Sequence, residues 1–331
     1  ANKKVRIAFI DTIDWDYGPN TPFEKPLGGS QSAVCYLMMA LQKQGHEIFL
    51  LNSTRKRAFI RNIHCIPMSK NRSELREMFD QINVDFLIIV SAANVAISIR
   101  PILPESTKVY LWTGHAFDQP DINGLKFDEV KNSWDGFVFV GHWQRETFCQ
   151  KFKIDKRKAY VIGNAVAPSF LDIFRKDDSI IQYKSASPTI AYTSTPFRGL
   201  DSLLEVFPSV RQLIPNLKLK VFSCLKTYYV EENDDSYKIL YDRCREMTGV
   251  EYIGSIPQPK LSKELKSINI LAYPNTFPET SCISIMEAMA SGCTVISSYL
   301  GELPKTCAGY GTLIKEVPGS QKYKEQFSSS L

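Results

Sequence analysis

The sequence predicts an α/β protein built as two doubly wound parallel-sheet domains. Apolar runs of strand length alternate with runs of helical period along the whole chain. At 331 residues the chain is long for a single core. The stretch APSFLDIFRKDDSIIQYKSASP, Ala167 to Pro188, carries charge, Ser and Pro without an apolar period and parts two such alternating sets. The domains are therefore expected at 1–166 and 167–331.

The first set opens with KVRIAFIDT, a buried strand, and continues through the polar loop WDYGPNTPFEKPLGGS. The helix SQSAVCYLMMALQKQ puts Val34, Leu37, Met38 and Leu41 on one face, and Gly45 ends it. The strand HEIFLLN completes a βαβ unit. Its loop carries Gly28 and Gly29 at the helix entrance, where paired glycines permit close backbone approach or simply make a turn. Helix SELREMFDQIN, strands VDFLIIV and KVYLWTG, helix FDEVKNSW, strand DGFVFVG, helix HWQRETFCQKF and strand AYVIGN follow. The segment LWTGHAFDQ sets His115 at the C-terminal end of a strand, where open α/β sheets bind ligands; a packing role is the other reading.

The second set runs TIAYTS, GLDSLLEVFPSVRQLIP, KLKVFS, SYKILYDRCREMTG, VEYIGSI, PKLSKELKSI and NILAYP, strand and helix in turn. Arg198, in STPFRGL, lies between the first strand and its helix, and Lys226 follows KLKVFSCL in a similar position. Backbone amides with one or two such cations are the usual means of holding a diphosphate. Gly254, in YIGSIPQ, lets the backbone approach a flat base or serves a tight turn.

The most informative stretch is TFPETSCISIMEAMASG, from Thr276 to Gly292. Two carboxylates, Glu279 and Glu287, straddle a polar turn that opens an apolar helix. Thr280 and Ser281 are expected to cap it, Ile283, Met286 and Ala290 follow at helical spacing, and Gly292 stops it. A strand, turn and helix of this kind offer free amides, here those of Thr280, Ser281, Cys282 and Ile283, to an anion. Glu287 stands about 6–9 Å along the helix at ~1.5 Å per residue, the reach from a phosphate to its ribose, which suggests a nucleotide. Glu279 then faces whatever hangs from the far side of the phosphates. Either carboxylate alone would merely favour a helix N-terminus, but the pair in this setting points to a ligand.

Composition narrows the classes. With 44% hydrophobic and 23% charged residues the chain is an ordinary globular one, neither disordered nor collagenous. The net charge of +5 comes without a basic stripe interleaved with aromatics, so no nucleic-acid partner is expected. A basic cluster at Arg55, Lys56, Arg57 and Arg61 reads as a solvated loop or as a contact for anionic lipid or a phosphorylated acceptor. Eight cysteines show no CxxC pair and no histidine at ligand spacing, so they are expected reduced and mostly buried, with no metal site. The N-terminus runs straight into a strand and no stretch reaches the ~20 apolar residues of a membrane span. A cytoplasmic protein is expected, with peripheral contact at the inner membrane face left open. Oligomeric state is not specified.

The EX7E spacing of Glu279 and Glu287, continuing into EAMASGCTVIS, resembles retaining nucleotide-sugar glycosyltransferases of the two-Rossmann (GT-B) type, glycosyltransferase group 1 or family four. The resemblance spans nearly the whole chain: PLGGSQSAVCYLMMALQKQGHEI is similar to that family's glycine loop and first helix, YVIGNAV to its NG segment, and FRGLDSLLEVFPSVRQLIPNLKL to its phosphate-binding strand and helix. It implies two Rossmann-like domains facing across a cleft, the N-terminal one binding acceptor and the C-terminal one binding donor. By the same resemblance Glu287 would hold the ribose hydroxyls and Glu279 the hydroxyls of the transferred sugar. The amides of Thr280 to Ile283 would meet sugar and phosphate, Gly29 the diphosphate, and backbone at Ser255 and Ile256 the base. Arg198 would neutralise the diphosphate and His115 would lie beside the donor sugar.

The reaction implied is transfer of a hexose, glucose by preference, from a UDP-sugar to a glycan or lipid-linked acceptor with retention. Front-side attack, with the leaving diphosphate taking the acceptor's proton, needs no carboxylate nucleophile, no metal and no cofactor beyond the donor substrate. The acidic runs DWD at Asp14 to Asp16 and ENDD at Glu232 to Asp235 fall in polar loops and are not read as a metal-binding DxD. This chain departs from the family where a second Arg usually precedes the basic residue, since YTSTPFRG has none. It departs again at Thr280, Ser281 and Cys282, which leaves donor choice open. It stops soon after YGTLIKEVPGSQKYKEQFSSSL, so terminal helices that cross back are expected short or absent, with consequences for domain closure. A nucleotide-sugar 2-epimerase and a non-catalytic nucleotide-sugar binder are the alternatives.

Overall fold

The computed structural model describes residues 3–331. The chain divides into two compact units: residues up to Thr21 with Ser30–Gly163, and Pro22–Gly29 with Asn164–Leu331. The second unit thus begins at Asn164 rather than at 167 and takes in the segment that holds Gly28 and Gly29. Asn164 belongs there because its Nδ2 donates to the Ser281 carbonyl at 3.2 Å. Lys25 belongs there because its Nζ sits 4.4 Å above the Tyr229 ring.

In the first unit, eight strands follow one another: β1 (Arg6–Ile10), β2 (Glu47–Asn52), β3 (Ala58–Ile60), β4 (Ile63–Pro67), β5 (Phe86–Val90), β6 (Lys108–Thr113), β7 (Gly136–Phe139) and β8 (Ala159–Val161). They form one sheet in the order β3-β4-β2-β1-β5-β6-β7-β8, parallel except where β3 pairs antiparallel with β4. Strands buried on both faces read as continuous apolar runs, which is why RIAFI, FLIIV and KVYLWT were legible as strands. Helices Arg72–Ile82 and His142–Phe152 pack on the sheet through Phe79, Ile82, Phe148 and Phe152, which share its core with Phe139. The β3–β4 hairpin is an addition to the sequence reading. Arg61 and Asn62 both take left-handed backbone (φ 52° and 59°), the geometry of a two-residue hairpin turn, in a run too short to register as two strands.

The second unit has six strands, β9 (Thr189–Tyr192), β10 (Lys218–Val221), β11 (Val250–Tyr252), β12 (Ile270–Tyr273), β13 (Thr294–Ser298) and β14 (Gly311–Ile314), all parallel, in the order β11-β10-β9-β12-β13-β14. The direction of winding reverses between β9 and β12. Loops leaving the C-terminal ends of those two strands run opposite ways and leave a crevice, the usual ligand position in a doubly wound sheet. The approach of the two loops is close enough to dictate a residue. Gly199 has φ 118°, and a Cβ there would lie 2.0 Å from the Pro274 carbonyl oxygen, so only glycine fits. Among the described residues no helix is long and apolar enough to cross a membrane.

Candidate functional site

The β9 exit delivers Arg198. A short turn, Pro196–Arg198, precedes Gly199, and the helix Leu200–Leu213 then leaves with its apolar face on the sheet. The β12 exit delivers Glu279, which is 6% exposed. The two meet: Arg198 Nη1 lies 3.2 Å from Glu279 Oε1 and 3.4 Å from Oε2. The guanidinium also stacks over Phe277 at 4.8 Å. Burial is the largest single influence and works against its charge, but the Glu279 carboxylate, together with the neighbouring Tyr273, Tyr228 and Cys282, holds the Arg198 pKa above its ordinary value.

Glu279 has a second donor. The Tyr273 hydroxyl, at the end of β12, donates to Oε1, and Ser194 Oγ stands 3.4 Å from the same hydroxyl. Burial, and then the neighbouring carboxylate, raise the Tyr273 pKa well above that of a free phenol, so it remains a donor. The backbone of Glu279 is fixed from behind by the loop after β13. Its carbonyl accepts from the Glu302 amide at 2.8 Å, and a Cβ on Gly301 (φ 55°) would lie 2.3 Å from that carbonyl oxygen. Buried Asn275 sets the path of the loop, donating through Nδ2 to the Phe277 carbonyl at 2.8 Å. Its own carbonyl accepts from Ser298 Oγ at 2.7 Å.

The helix spans Ile283–Ala290, with Cys282 at the N-cap. The expected caps, Thr280 and Ser281, lie instead in the loop ahead of it, because the turn from Pro278 consumes two more residues before helical backbone is reached. The amides of Thr280, Ser281 and Cys282 thus belong to the loop, and Ile283 is the first residue of the helix. Ser284 Oγ donates to the Thr193 carbonyl at 3.3 Å and joins this helix to the β9 exit. Gly29 lies against the same helix start, where a Cβ added to it would come 3.8 Å from Ile283 Cδ1, while Gly28 is buried beside it. Gly292 takes φ 71° and ends the helix as expected.

Glu287 is fully inside, 5% exposed, one side of its carboxylate accepting from Gln258 Nε2 at 3.1 Å. Burial pushes its pKa up to about 7, the Gln258 hydrogen bond pulling the other way. Gln258 starts the helix Gln258–Leu265, directly after the irregular segment Gly254–Pro257. Gly254 there is buried with φ 79°, an added Cβ would lie 3.8 Å from the Tyr252 hydroxyl, and Ser255 and Ile256 are half-buried. Lys226 is exposed on the turn Lys226–Tyr228, and among the described residues no carboxylate pairs with it. That turn is held by buried Asp235, which accepts from the Leu225 amide at 3.1 Å and from the Tyr241 hydroxyl at 2.6 Å. The ENDD run therefore has a structural task in its last member.

Buried polar atoms without a hydrogen-bond partner concentrate here. Arg198 Nε, Thr193 Oγ1 and Thr195 Oγ1 follow β9, and Ser223 Oγ and Thr227 Oγ1 follow β10. A native protein leaves few such atoms, and a group of them at one end of a sheet is suited to a polar ligand.

His115 lies in the first unit, after β6. Its Nε2 is 3.3 Å from Asp121 Oδ2, its amide donates to Thr113 Oγ1 at 3.0 Å, and its carbonyl accepts from buried Gln144 at 2.7 Å. Burial lowers its pKa, with Asp121 opposing, so the imidazole is neutral at pH 7. All eight cysteines are free, and only Cys224 is not buried.

Three residues at this site carried no motif: Tyr273, Asn275 and Gln258. A tyrosine ending an otherwise apolar buried strand is itself a signal, since its hydroxyl needs a partner.

Residues 188–328 match the family model of glycosyl transferases group 1. A phosphatidylinositol N-acetylglucosaminyltransferase subunit of Arabidopsis thaliana is 26% identical over 173 residues, 52% of this chain and 36% of that protein. The match spans about a third of the length of that curated relative. A glycosyltransferase from Rickettsia africae superposes with a TM-score of 0.71 at 15% identity, covering 99% of this chain and 88% of that one. The Anabaena protein HepE, in complex with UDP-glucose, gives 0.67 at 14% identity over 98% and 89%. These likenesses show the fold, two parallel-sheet α/β units in the GT-B architecture.

Proposed function

We propose, since this chain belongs through residues 188–328 to the glycosyl transferases group 1 family, that it transfers a hexose from a nucleoside diphosphate sugar with retention of configuration. The observation that carries the reading is the Arg198–Glu279 pair at the β9/β12 switch point, surrounded by buried polar atoms without partners. In this proposal the diphosphate takes Arg198, the amides of Thr280 to Ile283 and Gly29, and Lys226 supplies an exposed second cation. The ribose hydroxyls donate to Glu287, the base lies along the backbone at Gly254, Ser255 and Ile256, and the sugar hydroxyls donate to Glu279.

The bond from the anomeric carbon to the diphosphate oxygen breaks as the acceptor oxygen bonds to the same face. The acceptor's proton passes to the departing phosphate oxygen. Arg198 offsets the charge that grows there, so no metal enters the scheme. UDP-glucose is the first donor to test, because a protein of the same fold is known in complex with it. The acceptor is a glycan or a lipid-linked group, and the curated relative is itself named for a lipid, phosphatidylinositol.

A panel of UDP- and GDP-sugars, scored by thermal shift and by release of the nucleoside diphosphate, tests this. Binding of a matching donor stabilises the native state by RT ln(1 + [L]/Kd). Hydrolysis or transfer should collapse in Arg198→Ala and Glu279→Ala, and full activity in both would sink the assignment. Interconversion of two UDP-sugars without acceptor would convert the reading to an epimerase, and tight binding without turnover to a sensor.

A further inference from the structure

We propose that the β3–β4 hairpin docks this protein on an anionic lipid surface, independently of the transfer reaction. From Ile48 to Ser73 the chain has six Lys and Arg, namely Arg55, Lys56, Arg57, Arg61, Lys70 and Arg72, and no Asp or Glu. The whole chain has a net charge of +5, so this stretch alone accounts for its basic character.

The fold gathers four of these cations at one place. Arg55, Lys56 and Arg57 lead into β3, Arg61 sits in the turn, and all four are exposed. Between them Phe59 presents its ring to solvent at 62% exposure. The ring is held rather than loose, resting 4.8 Å from His64, which stacks 4.7 Å from Phe49. Asp16 is 3.9 Å from Arg55, and among the described residues no carboxylate pairs with Lys56 or Arg57. Arg61 donates to the neutral side chain of Asn20.

An edge strand is often guarded against pairing by charge alone. Guarding accounts for the lysine and arginines but not for an anchored, exposed phenyl ring in their midst. Cations that reach headgroup phosphates, with an aromatic ring among them at the apolar boundary, are the chemistry of an anionic bilayer surface. A soluble polyanion would use the charges and leave the ring idle.

Co-sedimentation of the full chain with phosphatidylcholine vesicles, and with the same vesicles containing phosphatidylglycerol, tests the proposal. Binding is expected only to the anionic vesicles and should weaken as salt rises. The triple variant Arg55→Ser, Lys56→Ser, Arg57→Ser should bind about a hundredfold more weakly, about fivefold per cation. Phe59→Ser should weaken binding with every charge intact. In Phe59→Trp the added emission should shift to the blue with anionic vesicles and not with soluble polyphosphate. Because these side chains are exposed, melting temperatures should match the wild type and separate lost binding from lost folding. Equal binding to both vesicle types, no binding to either, or polyphosphate binding with no blue shift on vesicles would each overturn it.

Discussion

Arg198 and Glu279, 81 residues apart in sequence, share an ion pair in which one guanidinium nitrogen lies 3.2 Å and 3.4 Å from the two carboxylate oxygens. The same two side chains are assigned to neighbouring parts of one donor, the diphosphate and the sugar. On that proposal each neutralises the other without donor, and with donor the guanidinium would gain a second anion while the carboxylate would gain hydroxyl donors. The pair thus preserves the charges of the site at low cost in dielectric energy.

Breaking the pair from one side should cost more than removing it. Arg198→Ala leaves a carboxylate buried without its cation, a change worth about 3–5 kcal/mol in comparable settings. The Arg198→Ala, Glu279→Ala double variant should recover part of that loss in urea unfolding. Additive single losses would refute the coupling. Activity should not recover: in each variant turnover should fall about 10²–10³-fold, the usual effect of losing one transition-state donor.

Tyr273→Phe removes one hydroxyl and keeps the ring. Glu279 loses a donor inside the protein, which should lower stability by about 1.5–3 kcal/mol, the range for hydrogen bonds to charged groups. If the hydroxyl positions the carboxylate for the sugar, kcat for the donor should fall while the affinity for free UDP, which lacks the sugar, stays unchanged. Calorimetry with UDP alongside steady-state kinetics separates the two. Equal loss of UDP affinity would mean that the hydroxyl merely supports the loop.

Much of this molecule was legible beforehand because its strands are buried on both faces and its helices carry one apolar face. Runs such as RIAFI or ILAYP, and the helix Gly29–Lys43, follow from hydrophobic periodicity alone. The carboxylate pair was legible because Glu279 and Glu287 lie in one short segment with a turn between them. The Arg198–Glu279 contact was not, since it depends on which strands become neighbours in the sheet, and periodicity does not fix strand order. The helix start was misplaced at Thr280 and Ser281 because good capping residues also suit a turn. The hairpin through Arg61 and Asn62 was missed because three-residue strands carry too few alternations to register.

Gly301 offers a test of the loop that carries Glu279. At φ 55°, with a Cβ placed 2.3 Å from the Glu279 carbonyl oxygen and 2.7 Å from its nitrogen, alanine is excluded by both backbone and space. Gly301→Ala should destabilise by about 1–3 kcal/mol and shift the Glu279 backbone. Donor turnover should fall with it, whereas Gly309→Ala, a left-handed glycine with open space around it, should cost stability through φ alone and leave turnover intact. Equal turnover in both would show that the loop tolerates displacement.

Glu287 makes the site pH-dependent in two opposite ways. Its pKa rises from an ordinary 4.5 to about 7 because burial penalises the carboxylate. Between those values the folded chain holds a proton that the unfolded chain releases. Its contribution to stability is therefore fully present below pH 4.5 and is lost as pH rises through 7, by about 3 kcal/mol in all. Glu287→Gln should remove that slope and make the ligand-free protein more stable above pH 7, as read from urea unfolding across the window. Nucleotide binding should run the other way. If Glu287 holds the ribose as proposed, the two hydroxyls need an ionised acceptor, so UDP affinity should strengthen as pH rises through 7 in the wild type and stay weak and flat in Glu287→Gln. A wild-type UDP affinity that is independent of pH across this range would remove Glu287 from the ribose.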